Sequence, residues 1–179
     1  RRLVPLGGLL AYVAMAPFVI PGIVLAIGFY AAYTSPPLAI YGTAWILILA
    51  FTTRFLPIAY ASSDAALRSL NPELEDAVRI LGGGRLLALR RVVGPLLKRG
   101  LAGAFILVFI PATRELSSAI FLSTTGTQVL SVLLFVKSDE GNFELLSSIG
   151  LILVIITVTL ILLGFRLVGR DFMLKRTAS

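Results

Sequence analysis

The sequence predicts an all-α integral membrane fold: about four transmembrane helices, a two-helix loop on the cytoplasmic side, and a short interfacial or re-entrant helix on the outer side. Three observations predict it. The 179 residues are 58% hydrophobic and only 14% charged, where a soluble domain carries about a quarter charged residues. Apolar segments long enough to cross a bilayer recur along the chain. The bases collect in those segments that alternate crossing would place on one side.

The spans are expected near residues 9–33, 39–61, 101–122 and 145–165, within one domain over 1–179. From Leu3 to Pro37 there is no charge, and Pro17 and Pro21-Gly22 should kink the first span. Thr34-Ser35-Pro36-Pro37 reads as a turn. The second span holds Arg54 and Pro57 near one end, where headgroup anchoring explains the arginine. The third contains Arg114-Glu115, and the fourth carries no charge. Between the third and fourth, the apolar run Val129–Val136 is too short to span. It is expected at the interface or re-entering between helices. The chain begins at Arg1 without a methionine or a signal peptide and reads as a fragment of a longer protein.

Sixteen Lys+Arg stand against nine Asp+Glu, a net charge of +7. Arg1 and Arg2 precede the first span. Arg68, Arg79, Arg85, Arg90, Arg91, Lys98 and Arg99 lie between the second and third, and Arg166, Arg170, Lys175 and Arg176 follow the fourth. The opposite side holds only Lys137. Four alternating spans therefore place residues 62–99 and the C-terminal tail in the cytoplasm. The same scatter argues against nucleic acid, since no aromatic side chains interleave the bases. There is no cysteine and no histidine, which excludes disulfides, thiolate metal sites and histidine-based triads. No catalytic residue, cofactor or metal site is expected.

The stretch Asn71–Leu97 is the most informative. Asn71 suits an N-cap and Pro72 the first helical position, and Glu73, Glu75 and Asp76 fall where the helix dipole favours acids. Leu74, Ala77, Val78 and Leu81 repeat at helical spacing, giving one apolar face. Gly82-Gly83-Gly84 should stop this helix, with Gly82 at positive φ. A second helix is expected over Arg85–Val93, with Leu86, Leu89 and Val93 on one face and Gly94-Pro95 ending it. Gly82-Gly83-Gly84 lacks the Lys-Ser/Thr of a phosphate-binding loop, so ATP hydrolysis is not expected in this chain.

Leu74-Glu75-Asp76-Ala77-Val78-Arg79-Ile80-Leu81-Gly82, followed by Arg90-Arg91-Val92-Val93-Gly94-Pro95-Leu96-Leu97, resembles the EAA loop of binding-protein-dependent ABC transporter permeases, of the type I importer fold. Asp76, Ala77 and Val78 stand where that family has Glu-Ala-Ala, Gly82 at the motif glycine and Pro95 at the closing proline. Asp for Glu and Val for the second Ala are the departures, and they keep the charge and the apolar face. The resemblance implies coupling helices, with Glu75, Asp76, Ala77, Val78, Gly82 and Pro95 docking on an ATPase. Pro21–Gly28, Arg54-Phe55-Leu56-Pro57, Arg114–Ser118 and Gly126–Leu133 look like the ferric iron permease subgroup. The resemblance to that subgroup implies the C-terminal half of a two-half permease in a bacterial inner membrane, importing ferric iron by alternating access. Implied partners are a cytoplasmic ABC ATPase dimer, a periplasmic solute-binding protein, the lipid membrane and the other permease half, in the same chain or a homologous subunit. Related branches carry thiamine, aminoethylphosphonate, polyamines or sulfate. A passive channel has no need of an ATPase dock, and an intramembrane protease would need paired aspartates or a Ser-His dyad.

Arg114 and Glu115 remain as candidates for the translocation path. They lie about 15 residues past Arg99, over ~20 Å along a helix, where a lipid-facing charge costs roughly 2.5–3.5 kcal/mol. On a continuous helix the two side chains would point about 100° apart and take different partners. The alternative for both is a structural salt bridge or snorkelling. Asp139, Glu140 and Glu144 read as a solvated acidic face, with a contact to the binding protein as the functional alternative.

Overall fold

Residues 7–71, 73–80 and 82–168 are described by a computed structural model, in which helices joined by turns account for the fold and no strand occurs among the described residues. Two compact units divide the chain. Among the described residues, one holds those from Gly7 to Pro57 together with Val108–Val158, and the other holds Ile58–Leu107 and those from Thr159 to Val168.

In the first unit, α1 (Gly7–Met15) runs into a 3-10 turn at Ala16–Phe18, and the chain then turns by 104° into α2 (Gly22–Tyr33). Pro17 and Pro21 supply no amide hydrogen to an α-helical ladder, so the expected kink is a full break. Pro21 itself sits in an extended conformation before α2, and its carbonyl accepts from the Leu25 amide at 3.0 Å. The turn at Thr34–Pro37 leads to α3 (Ala44–Arg68), whose portion up to Pro57 belongs to this unit. The core is Ala26 of α2, Ile46, Leu47 and Ala50 of α3, and Leu122 of α7 (Ala119–Leu122), with Phe29, Tyr33, Ile40, Tyr41 and Val129 packed around it. Alanines at 26 and 50 leave room for close backbone approach, the way helices pack where lipid supplies no hydrophobic drive. The short apolar run between the third and fourth apolar segments forms α8 (Leu130–Asp139), ten residues long, with Ser131 and Val132 buried.

The second unit holds the end of α3, α4 (Glu73–Ile80), α5 (Arg85–Ala88) and the start of α6 (Gly94–Thr113). Gly100 of α6 lies against Ala66 of α3, and Gly164 of α9 (Phe143–Val168) lies against Ile106 of α6. Among the described residues, Ala88, Val93 and Ala104 are its buried apolar residues.

By length and composition, Ala44–Arg68 and Phe143–Gly164 can each cross a membrane. Counting Gly8–Phe18 with Gly22–Tyr33, and Leu86–Lys98 with Gly100–Thr113, as bent single spans brings the described residues to four.

Three local expectations are corrected. The third apolar segment is not one helix over 101–122: α6 ends at Thr113, and residues 114–118 form a break before α7. Gly94-Pro95 does not end the second loop helix. Leu89–Val93 forms a π-turn in which the Gly94 amide bonds the Leu89 carbonyl, and the chain continues directly into α6. The wider turn shifts the backbone ladder just ahead of Pro95, which has no amide to contribute, so the proline is carried without stopping the helix. The same turn shifts the side-chain phase, and Leu86, Leu89 and Val93 do not share a face: Val93 is buried while Leu86 and Leu89 are exposed.

Candidate functional site

Two places bear on function, one in each unit. The first is the elbow between α4 and α5. Asn71 caps α4 as its sequence requires, its Oδ1 accepting the Glu73 amide at 3.0 Å while its side-chain amide donates to Glu73 Oε2 at 3.1 Å. Within α4, Arg79 approaches Asp76 at 3.9 Å, an exposed pair one turn apart. The helix ends in a Schellman motif: the Gly82 amide donates to the Arg79 carbonyl at 2.9 Å and the Gly83 amide to the Val78 carbonyl at 2.8 Å. Gly82 has φ +77°, in the left-handed region. The elbow closes tightly, because a Cβ on Gly83 would lie 2.6 Å from Val78 Cγ1 and 3.2 Å from Leu87 Cδ2. α4 packs on α5 and the π-turn, with Val78 of α4 and Leu87 of α5 flanking Gly83.

Ile80 is 85% exposed and Leu86 77% exposed, with Leu89 and Ala77 also at the surface. The loop thus folds on itself and still presents apolar side chains outward. Of the residues expected here, Asp76, Ala77, Val78 and Gly82 are gathered on α4 and its terminus. Glu75 lies on α4, with its side chain outside what is described, and Pro72 and Leu81 lie outside the described residues altogether. Pro95 stands at the start of α6, beyond the π-turn.

The second place is a charged network joining two helix breaks of the first unit. Arg54 of α3 donates from Nη1 to the Ile20 carbonyl at 2.8 Å, at the break before α2. Its Nε lies 4.0 Å from Glu115 Oε2, an ion-pair distance too long for a hydrogen bond. Glu115 sits in the break after α6, where its Oε1 accepts from the Ser118 amide at 3.0 Å and the Ser118 hydroxyl at 3.1 Å. The Ser131 hydroxyl of α8 donates to the Glu115 carbonyl at 2.6 Å. Gly22 faces this cluster, and a Cβ there would meet Ser117 Cβ at 3.1 Å and Glu115 Oε1 at 3.3 Å.

Arg54 thus has partners within the protein, which the headgroup reading did not foresee. Its side chain is 28% exposed, that of Glu115 is 12% exposed, and each is the other's charge partner. Sequence reasoning missed the pairing because it placed Arg54 near one membrane face and Glu115 toward the other. The available signal was that each is a charge inside an apolar segment and carries the opposite sign. Arg114 and Glu115 do part company as expected, although the cause is the break and not the helical angle. Arg114 is exposed and makes no side-chain ion pair or hydrogen bond among the described residues. On α8, Lys137 pairs with Glu140 at 2.6 Å, which neutralises part of the acidic face. No group of three or more His, Cys, Asp or Glu side chains gathers among the described residues.

Against known proteins, residues 2–170 match the binding-protein-dependent transport system inner membrane component. The ferric transport system permease protein FbpB of Actinobacillus pleuropneumoniae is 30% identical over 160 residues, 89% of this chain and 23% of that protein. The Fe(3+)-transport system permease protein FbpB 2 of Haemophilus influenzae is 27% identical over 138 residues, 76% of this chain and 27% of that protein. The sulfate transport system permease protein CysT of Salmonella typhimurium is 32% identical over 118 residues, 64% of this chain and 41% of that protein. The chain thus spans about a quarter of the length of the ferric permeases it matches.

Proposed function

This chain belongs to the binding-protein-dependent transport system inner membrane components, and from that premise we propose that it is the membrane-spanning part of an ATP-driven ABC importer for ferric iron. A periplasmic binding protein delivers the solute, the spans expose a path alternately to each side, and a separate cytoplasmic ATPase dimer drives the cycle. The other half of the path comes from a homologous permease half, in the same protein or a second subunit. The positively charged loop 62–99 and the C-terminal tail face the cytoplasm.

The observation that carries this reading is the α4–α5 elbow. Two short helices are held together by the Gly82 and Gly83 bonds, and Ile80 and Leu86 on them and Leu89 of the π-turn are exposed. Such a folded pair fits a groove on a partner, and its rigidity lets a push on the loop reach α6 through the π-turn. Asp76, Ala77, Val78 and Gly82, with Glu75 and Pro95, are the proposed docking element. Arg114 and Glu115 are proposed to lie beside the path, at the break after α6.

Ferric iron is favoured as solute by the ferric transport permeases among the relatives, which match up to 89% of this chain. The test is purification of the full-length permease with its candidate ATPase, followed by reconstitution with iron-loaded binding protein. Co-purification with ATP-dependent iron uptake supports the proposal. Uptake of sulfate or 2-aminoethylphosphonate in place of iron overturns the solute, and uptake without an ATPase overturns the importer.

A further inference from the structure

We propose that Arg54 is a positioning residue that clamps the helix break before α2 to the break after α6, so that the two broken segments move as one body. A helix broken within an apolar segment frees backbone groups that lipid cannot satisfy, so each break needs polar partners from the protein. Arg54 supplies the partner of the Ile20 carbonyl at the first break and the counter-charge of Glu115 at the second, from one guanidinium whose planar fork can address two acceptors at once. Nη1 takes the Ile20 carbonyl at 2.8 Å, and Nε faces Glu115 Oε2 at 4.0 Å. Glu115 divides its carboxylate in the same manner. Oε2 faces Arg54, while Oε1 accepts both Ser118 donors and fixes the chain entering α7. The Glu115 carbonyl holds Ser131, which ties α8 to the same point. Gly22 lets the two breaks approach until Ser117 Cβ lies 3.1 Å from where a Cβ would stand.

Each charge therefore serves a backbone partner as well as its counter-charge. A plain ion pair survives exchange of its two members. This clamp does not, because glutamate at 54 cannot donate to the Ile20 carbonyl and arginine at 115 cannot accept from the Ser118 amide.

The test uses spin labels at Val19→Cys and Phe121→Cys, both exposed and outside the network, in the full-length permease in lipid. The region has no native cysteine to interfere. One narrow distance distribution, unchanged when ATP is added with the ATPase present, is expected for the unaltered network. Arg54→Met should lose the narrow peak, and the exchange Arg54→Glu/Glu115→Arg should fail to restore it. Should Arg54→Met not insert, Arg54→Lys decides: its three donors sit on one nitrogen and lack the planar fork that reaches the Ile20 carbonyl from Nη1 while Nε faces Glu115, so the distribution should broaden. A narrow peak in Arg54→Lys or Arg54→Met, recovery by the exchange, or a shift of the peak with ATP would each overturn the clamp. Because the readout is a distance and not transport, it stands or falls apart from the solute and the importer.

Discussion

The amide of Ser118 donates to Glu115 Oε1 at 3.0 Å, and the hydroxyl of the same serine reaches that oxygen at 3.1 Å. One carboxylate oxygen thus secures the chain entering α7 while the other faces Arg54 at 4.0 Å. Glu115→Gln keeps an acceptor for Ser118 and removes the charge, whereas Glu115→Ala removes both. Hydrogen bonds to charged groups contribute about 1.5–3 kcal/mol each, so the alanine variant should lower the thermal stability of the detergent-solubilised permease clearly more than the glutamine variant. If Glu115 lies beside the path, Glu115→Gln should insert and assemble with the ATPase normally and still cut uptake. Normal uptake by that variant would remove Glu115 from the path and leave it a structural role.

How far the fold was legible in the sequence depends on the range of the interactions. The Asn71 cap, the positive φ of Gly82 and the place where the first segment bends, at Pro17 and Pro21, are set within a few residues by side-chain and ring chemistry, and the residues name them, although the bend proves to be a full break. Pro95 was misread for a physical reason: proline stops a regular α-helix, but the π-turn at Leu89–Val93 had already moved the ladder it would have broken. The break at residues 114–118 contains no proline or glycine itself, although Pro111 stands in the last turn of α6 just ahead of it. It is held by Arg54 on another helix, by Ser118 and by Ser131 on α8, partners that no local pattern identifies.

Gly22 and Gly28 lie on the same helix and should respond oppositely to alanine. At Gly22 the added methyl would stand 3.1 Å from Ser117 Cβ and 3.3 Å from Glu115 Oε1, so the segment after α6, held in place by its own hydrogen bonds, would have to give by a few tenths of an ångström. Overpacking of this kind costs about 1–3 kcal/mol. At Gly28 nothing lies within 4 Å, and a helical glycine replaced by alanine gains about 0.4–1 kcal/mol. Thermal unfolding of the two variants in detergent should move in opposite directions. A Gly22→Ala protein as stable as the parent would mean that α2 and the segment after α6 are not in contact in the membrane.

Topology can be tested at turns whose side chains are free to react. Ser35 is exposed, and a Cβ added at Gly126 would have nothing within 4 Å. With the basic loop 62–99 in the cytoplasm, Ser35→Cys and Gly126→Cys should both react with a membrane-impermeant maleimide from the periplasmic side of intact cells. Reaction from the cytoplasmic side alone would invert the orientation and place the α4–α5 elbow where no ATPase could meet it.

Gly82 offers the sharpest test of coupling. Its φ of +77° closes the Schellman motif at the end of α4, with its amide on the Arg79 carbonyl and the next amide on the Val78 carbonyl. A side chain at Gly82 would meet open space, so the cost of substitution is backbone strain and not a clash. That strain is about 1–2 kcal/mol for an ordinary residue in the left-handed region, and a β-branched residue is a poorer fit still. Gly82→Val should therefore open the two capping bonds and swing α5 away from Val78, separating apolar side chains that a partner groove must accept together. The apolar spans are untouched, so insertion and expression should stay normal. The expected result is a membrane-inserted permease that recovers less ATPase on purification and transports little. Gly82→Asn, which tolerates the left-handed conformation better, should retain more of both. Parental levels of ATPase recovery and uptake in Gly82→Val would show that the angle of the elbow does not matter to the partner, and the docking role of this loop would have to be given up.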